Sequence, residues 1–424
     1  MNKAKRIICI LLTLCFLIAL TSCGEDSPQE INPSELSTTQ IDEKETSEEI
    51  DILSLNKEYI SHHEWYGDTS TMLVRSEYTD VTLDKSIEKK YPELAKTLSE
   101  TSVMRKRAME EEKDNFIVTA TEEFERDRES FSTYVSTLDV QVRRADSVAV
   151  SILEDYNLET DRAFNSLNYD TQSGKELVLS DVVKDVSKIP ATVEKVIMSR
   201  IGQEEPFGET SIPDYFKNTP KDSITWVLDY NGVTFYFKPG DIAPTNFGIQ
   251  TATVTFVEYP DLFNEKYTAV PDSYIVSLPL MSSFFTDLTG DNRSEEIIVS
   301  GNYDQDEGYY YTLGICSGSS DYEVDWFAYD LKPYYIKTAD GDSFLYIFSD
   351  TSEEKDQQMT LSVFSLKNGE IKQVSEMNMG MLCRDNNVFA LPTDPDNLLL
   401  CVPGNNSTDL CYTVEKNGLP KTKD

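Results

Sequence analysis

The chain has 424 residues and only two histidines, the neighbours His62 and His63. That scarcity removes Ser-His-Asp and Cys-His catalytic schemes unless one of this pair is recruited. It also argues against a metal centre there: adjacent residues on a strand point to opposite faces, and there is no third imidazole to complete a set. No Cys-x-x-Cys pair occurs. After Cys23 the cysteines are Cys316, Cys383, Cys401 and Cys411. In an exported protein four cysteines allow three disulfide pairings; Cys401 with Cys411 is the first guess, and free buried thiols are the alternative. No phosphate-cradling glycine loop and no dinucleotide fingerprint is present. Positive charge is scarce as well: 38 Lys and Arg stand against 75 Asp and Glu, a formal net charge of −37. Such a surface repels nucleic acid and anionic lipid heads, and attracts cations and basic proteins. Solubility alone explains the charge equally well. The same abundance of acids makes paired carboxylates uninformative, since some pair is always close.

Long apolar runs are limited to one. Ile7 to Leu20 follows the basic stretch Asn2-Lys3-Ala4-Lys5-Arg6, and it is shorter than the ~20 residues that span a bilayer. Residues 1–22 therefore read as a secretion signal. Leu20-Thr21-Ser22-Cys23-Gly24 resembles the bacterial lipobox. That resemblance implies that Cys23 receives a diacylglycerol and becomes the mature N-terminus, each acyl CH₂ adding about 0.8 kcal/mol of membrane affinity. An ordinary signal peptide would instead leave the protein secreted. Loss of Lys3, Lys5 and Arg6, with no acid in residues 1–22, takes the mature chain from −37 to −40. The expected location is the extracytoplasmic face of the bacterial cell membrane, held by the lipid anchor. Residues 23–54 are acidic, with Ser, Thr and Pro between, and bury too little apolar surface to offset their ordering entropy; they read as a disordered tether.

Hydrophobic residues at 39% and aromatics at 11% support packed cores over the rest. Ile87, Tyr91, Leu94 and Leu98 recur at helical steps, with Pro92 tolerable in a first turn. The pattern continues through Met109, Phe116, Ala120, Phe124 and Phe131, as one long helix or two with a break near Thr101. The basic cluster Met104 to Lys113 balances nearby glutamates at helical spacing; an anion site is the other reading. Strands are expected at 135–143 and 147–156, a hairpin around Ser173-Gly174, and a helix from Ile189-Pro190 to about Gly202. Residues 204–220, with Pro206, Pro213 and Pro220, read as loop.

The stretch Ser223 to Tyr267 is the most organised. Trp226, Leu228 and Tyr230 alternate up to Asn231-Gly232, a tight-turn signal that accepts positive φ at both positions. Val233, Phe235 and Phe237 alternate on the return arm, and Thr251 to Val257 forms a third run. Tyr259-Pro260-Asp261 then opens a short segment expected to be helical, ending near Tyr267. The blocks GVTFYFKPGDIAP and TVTFVEYPDLFNEKY resemble an extracellular domain found in the lysozyme-sensing V-type anti-sigma factor and in peptidoglycan deacetylase C. NYDTQSGKELVLSDVV (168–183) and YPELAKTLSE (91–100) resemble other blocks of the same domain, so the likeness spans roughly residues 60 to 270. The family's glycine-glycine-alanine-histidine turn is replaced here by Glu159-Thr160-Asp161-Arg162-Ala163-Phe164. Too few residues precede the apolar core for a cytoplasmic sigma-binding helix. The resemblance implies binding of a lysozyme-like protein or a cell-wall component. Trp226, Tyr236 and Phe247 are its candidate aromatics by position, with core packing as their alternative role.

From about Pro271 strand-like runs recur, separated in places by Asp-Gly and Asn-Gly turns: 274–278, 297–299, 309–316, 334–337, 344–348, 361–366, 388–391 and 398–402. The texture resembles propeller blades, but ~150 residues hold only about three, fewer than a closed ring. Asp287-Leu288-Thr289-Gly290-Asp291-Asn292, followed by Glu295 and Glu296, resembles a calcium loop of such modules. Oxygen ligands from Asp287, Thr289, Asp291, Glu295 and Glu296 would suit Ca²⁺; the alternative is an acidic turn ahead of a strand.

The expectation is an α+β chain: an N-terminal helix plus antiparallel-sheet domain over 55–270, then a mainly β module over 271–424, partly propeller-like or a sandwich. The expected function is that of a cell-surface binding lipoprotein, not an enzyme. Its expected partners are the membrane and a basic lysozyme-like protein or peptidoglycan, with no nucleic acid. A carboxylate-dependent cell-wall enzyme and an architectural lipoprotein are the alternatives.

Overall fold

The computed structural model describes residues 50–423 apart from 159–160, 202–209, 305–306, 319, 352–358, 386 and 403–409. Cys23, the tether up to residue 49, and Glu159-Thr160 lie outside the described residues; residues 50–54, expected to belong to the disordered tether, are instead ordered, with Leu53 buried and its amide bonding the Ala145 carbonyl at 3.0 Å. Residues 49–424 group as one compact unit.

The first sheet begins with β1 (Leu55–Trp65) and β2 (Met72–Leu83), which pair antiparallel over their whole length. Helix α1 (Pro92–Arg126) then carries the chain to β3 (Tyr134–Ala145), which pairs parallel to β2. Such a parallel pair requires a crossover, and α1 supplies it. β4 (Ala149–Leu158) and β5 (Asp161–Asp170) continue antiparallel. α1 is a single unbroken helix, with Pro92 in its first turn. Leu94, Leu98, Thr101, Arg105 and Met109 are buried one turn apart. They cover one face of the sheet, against Tyr78, Leu138, Val140, Val142 and Ile152.

The next segment packs helices on a small sheet. α2 (Leu179–Val182), α3 (Ile189–Ile201) and α4 (Ile212–Asn218) precede β6 (Thr225–Leu228), β7 (Gly232–Phe237) and β8 (Gln250–Thr255). Val193, Val196 and Ile197 meet Phe235, Phe237 and Val254 in its core. Two expectations need correction. Residues 204–220 are not all loop: Ser211 caps α4, accepting the Asp214 amide at 3.2 Å, and Pro213 sits in the first turn, where it costs no hydrogen bond. The Asn231-Gly232 turn also differs. Neither residue has positive φ; the Asp229 amide bonds the Gly232 carbonyl at 2.8 Å, so Tyr230 and Asn231 form the bend. Glycine is required at 232 for another reason: a Cβ there would lie 2.4 Å from the Val254 carbonyl oxygen.

After α5 (Glu265–Thr268) the described elements are strands, apart from one 3-10 turn at Lys367–Gly369. β9 (Tyr274–Ser277) comes first. β10 (Phe284–Thr286), β11 (Glu295–Ser300), β12 (Tyr303–Asp304), β13 (Tyr309–Ser317) and β14 (Ser320–Ala328) form one sheet. β15 (Asp330–Lys337), β16 (Ser343–Asp350), β17 (Met359–Ser365) and β18 (Lys372–Asn378) join β9 in a second. β19 (Gly380–Met381), β22 (Leu398–Cys401), β23 (Cys411–Val414) and β24 (Pro420–Thr422) make a third. The second sheet is the middle layer. Leu345, Ile347 and Phe364 pack against Leu313 and Ile315 of the first, while Phe344, Tyr346 and Phe348 pack against Leu398, Leu400 and Tyr412 of the third. That is why β16 is buried at every position and its stretch Phe344 to Phe348 reads as a continuous apolar run. β20 (Cys383–Asp385) and β21 (Val388–Ala390) leave this stack: β21 pairs with β1 and extends the first sheet. Arg384 reaches the Asp84 carboxylate across the same seam.

Candidate functional site

β3 is irregular where it matters most. Val142 pairs with Ile152, and the next pair is Arg144 with Ser151, so Arg143 is an extra residue. A bulge of this kind breaks the period of two and re-aims side chains. Two consecutive arginines consequently leave the helix-covered face together, and both are fully buried. Arg143 donates from Nε to Asp229 at 2.8 Å and from Nη1 to the Ser277 carbonyl at 2.9 Å. Its guanidinium also lies 5.3 Å from the Phe284 ring centre. Asp229 accepts a further hydrogen bond from Thr234 at 2.6 Å. Arg144 donates to Asp146 at 2.8 Å and to the Tyr267 and Ala269 carbonyls at 2.7 and 2.8 Å. Asp146 accepts the Val148 and Ala149 amides at 2.8 and 2.9 Å. One bulge therefore ties the first sheet to the β6–β8 hairpins and to β9.

Other cations turn inward around it. Arg105 leaves the outer basic cluster of α1 and sits between Asp80 and Glu154. Lys57 meets Asp139 at 2.6 Å, and Arg162 holds Asp155 at 2.6 and 2.9 Å. Burial nonetheless raises the Asp155 carboxyl above its ordinary value, Arg162 opposing it. Tyr236 is buried at the same place, and its hydroxyl is pushed up by burial, with Arg143 opposing. These groups act as clamps; no nucleophile, base and orienting partner line up among them.

The calcium-loop residues are held by their own backbone. The two oxygens of Asp287 accept the Gly290 and Asn292 amides at 2.6 and 3.0 Å, and Gly290 and Asn292 take positive φ. Glu295 accepts the Leu288 amide at 2.7 Å, with Thr289 at 3.4 Å. Asp291 caps the Arg293 amide at 2.9 Å, and Glu296 turns to Ser283 at 2.5 Å. Among the described residues no three His, Cys, Asp or Glu side chains gather in a metal-ligating group. His62 and His63 lie half-exposed near Glu64 at 3.3 Å and Glu77 at 3.4 Å. The Cys401–Cys411 disulfide does not form: Cys411 is a free thiol, and Cys401 lies 3.2 Å from the Met381 carbonyl. Trp226 and Tyr236 are core residues, while Phe247 is half exposed. A groove of about 520 Å³ carries Asp340, Asp396, Glu415 and Lys416, with Lys416 paired to Asp340 at 3.1 Å.

The buried arginines are the residues missed by sequence reasoning. Their signal was Arg143-Arg144 at the end of an alternating strand in a chain short of cations. Helices on a three-stranded sheet are thus clamped through that pair to a larger α+β body. Residues 177–256, from just before α2 to the end of β8, match the family model DUF3298, described as a protein of unknown function. Among solved structures the chain is similar to a DUF3298 family member from Bacteroides fragilis. The identity is 15%, the TM-score 0.40, and the match covers 51% of this chain and 96% of that one. It is also similar to a DUF3298 family protein from Pseudomonas aeruginosa, with 14% identity, a TM-score of 0.36, and 52% and 98% coverage. No curated protein matches the chain.

Proposed function

We propose that this is a cell-surface binding lipoprotein, anchored through Cys23, that captures a cationic cell-wall hydrolase of the lysozyme kind. The observation that carries the reading is where the charge lies. Buried cations are Lys57, Arg105, Arg143 and Arg144; buried acids are Asp80, Asp84, Asp146, Glu154, Asp229 and Asp350. The interior thus holds an acid excess of only two, against a net charge of −37 for the chain. The remainder falls on more accessible groups and on the segments outside the described residues. A field of that size steers basic proteins to the surface. The signal-like segment, lipobox and acidic stretch within residues 1–49 support display at the membrane.

The test is binding of residues 24–424 to lysozyme at low salt and near half-molar salt, where exposed charges are largely screened, with a second acidic protein as control. Binding that persists in salt and is absent from the control supports a specific interface. Binding matched by the control refutes it. The carboxylate-enzyme reading has one feature in its favour, the groove holding Asp340, Asp396 and Glu415. Turnover of purified peptidoglycan, lost on Asp396→Asn, would establish that alternative instead.

A further inference from the structure

From Ser294 to Leu331 the sequence contains no lysine or arginine, but nine acids and eight aromatic residues. The fold sorts these onto two faces of one sheet. Pairing places Ile298 beside Cys316 and Cys316 beside Asp321; Ser300, Gly314 and Glu323 form the next row, and Thr312 with Asp325 the next. Ile297, Val299, Leu313 and Ile315 point the other way, into the core against the middle sheet. The outer face is left with Glu296, Asp321, Glu323 and Asp325, all exposed. None of these four takes part in an ion pair among the described residues.

At one end of the same face the pairing slips between Tyr310 and Thr312, and aromatic rings come to the surface. Tyr311 and Phe327 are each 46% exposed. Phe327 is fixed by Tyr309 at 4.9 Å and Tyr329 at 5.3 Å between ring centres. The local field is strong enough to be felt by the thiol of Cys316: partial burial, then Asp321 and Glu296, push it up to about 11. The outer side of α1 is different in kind. It is acidic too, but carries its own cations, with Lys96 and Lys106 each 4.0 Å from a glutamate one turn on.

We propose that the outer face of the β10–β14 sheet is the docking surface for a basic protein. Lysine and arginine side chains of the partner would stack on Tyr311 and Phe327 and pair with Asp321, Glu323 and Asp325. Charge complementarity selects the occupant, because an uncompensated acidic face rejects nucleic acid, an anionic membrane or a second copy of this chain. This inference deepens the cationic-partner reading and rests on it, but it places the contact in the C-terminal module, outside the DUF3298 match.

The experiment compares three forms of residues 24–424: wild type, Glu323→Lys with Asp325→Lys, and Glu111→Lys with Glu122→Lys on α1 as a control of equal net charge. All three should melt alike. Lysozyme affinity should fall roughly tenfold or more in the sheet variant and about twofold in the helix variant, since only contact charges exceed the generic field. Tyr311→Ala with Phe327→Ala, which leaves the charge alone, should weaken binding and keep that deficit in high salt. Equal losses in the sheet and helix variants would overturn the surface while leaving the lysozyme reading intact. If wild type fails to bind lysozyme, that reading falls, and the same proteins titrated with an oligo-arginine peptide decide the surface. A loss confined to the sheet variant keeps it; equal losses, or displacement of the peptide by peptidoglycan fragments, overturn it.

Discussion

The two halves of the molecule treat charge in opposite ways. In the first sheet and the hairpins beside it, cations are drawn inside and paired: Arg105, Arg143 and Arg144 are buried against carboxylates. In the stacked sheets of the C-terminal half the interior is aromatic and aliphatic, and the acids other than Asp350 of β16 stay outside or half-buried. The first arrangement depends on geometry, because a buried charge that loses its partner is costly. The second depends on volume, and leaves the surface electrostatics free for a partner.

The largest expected break comes from Arg143→Met, close in volume but unable to answer Asp229. Loss of one partner of a buried pair costs about 3–5 kcal/mol, read as a fall in denaturant midpoint. Adding Asp229→Leu should recover much of that loss, because a buried pair replaced by apolar groups is often neutral; no recovery would mean the bulge itself had collapsed. A volume-conserving change in the other half, Leu345→Met, should cost less than about 1.5 kcal/mol. If it matched Arg143→Met, the contrast between the halves would be wrong.

Smaller effects sharpen the picture at the margins. Asp287→Ala releases two loop amides and should cost about 1 kcal/mol. Calcium titration of both proteins by thermal melting then asks whether the loop also holds the ion: identical shifts would remove it as a calcium site. At the seam, burial alone would raise Asp84, but hydrogen bonds from Ser86 and the Arg384 guanidinium hold its carboxyl below the usual 3.8. A depressed carboxyl stabilises the fold above its unfolded value and loses that contribution as pH falls through the folded one. Asp84→Asn should therefore flatten the loss of stability between about pH 4 and the acid limb below it, in melts recorded across that range. Least in energy but simplest to read, Cys316 should alkylate slowly near pH 8 despite its exposure, and faster in Asp321→Asn.

Much of the fold was legible because burial follows a local period. The helical steps from Leu94 to Phe124 predict α1, and the alternation from Trp226 to Phe237 predicts β6 and β7. β14 shows its period too: Tyr322, Val324 and Trp326 alternate with Asp321, Glu323 and Asp325, yet this strand is not among those expected. The loop assigned to 204–220 failed because proline marks a helix start as well as a break. The site was less legible. Asp287 and Glu295 were picked out by residue type, but backbone amides occupy them. Arg143 and Arg144 carry no motif, and their importance depends on one unpaired residue in a ladder.

The sequence alone determined the sign and size of the net charge, the α+β class and most of the elements, because composition and short periods act within a few residues. Tertiary structure decided the rest. It set the bulge that sends both arginines inward, returned β21 to β1, and left one face of the β10–β14 sheet bare. Each depends on which distant backbone a strand meets, and neither residue type nor period encodes that.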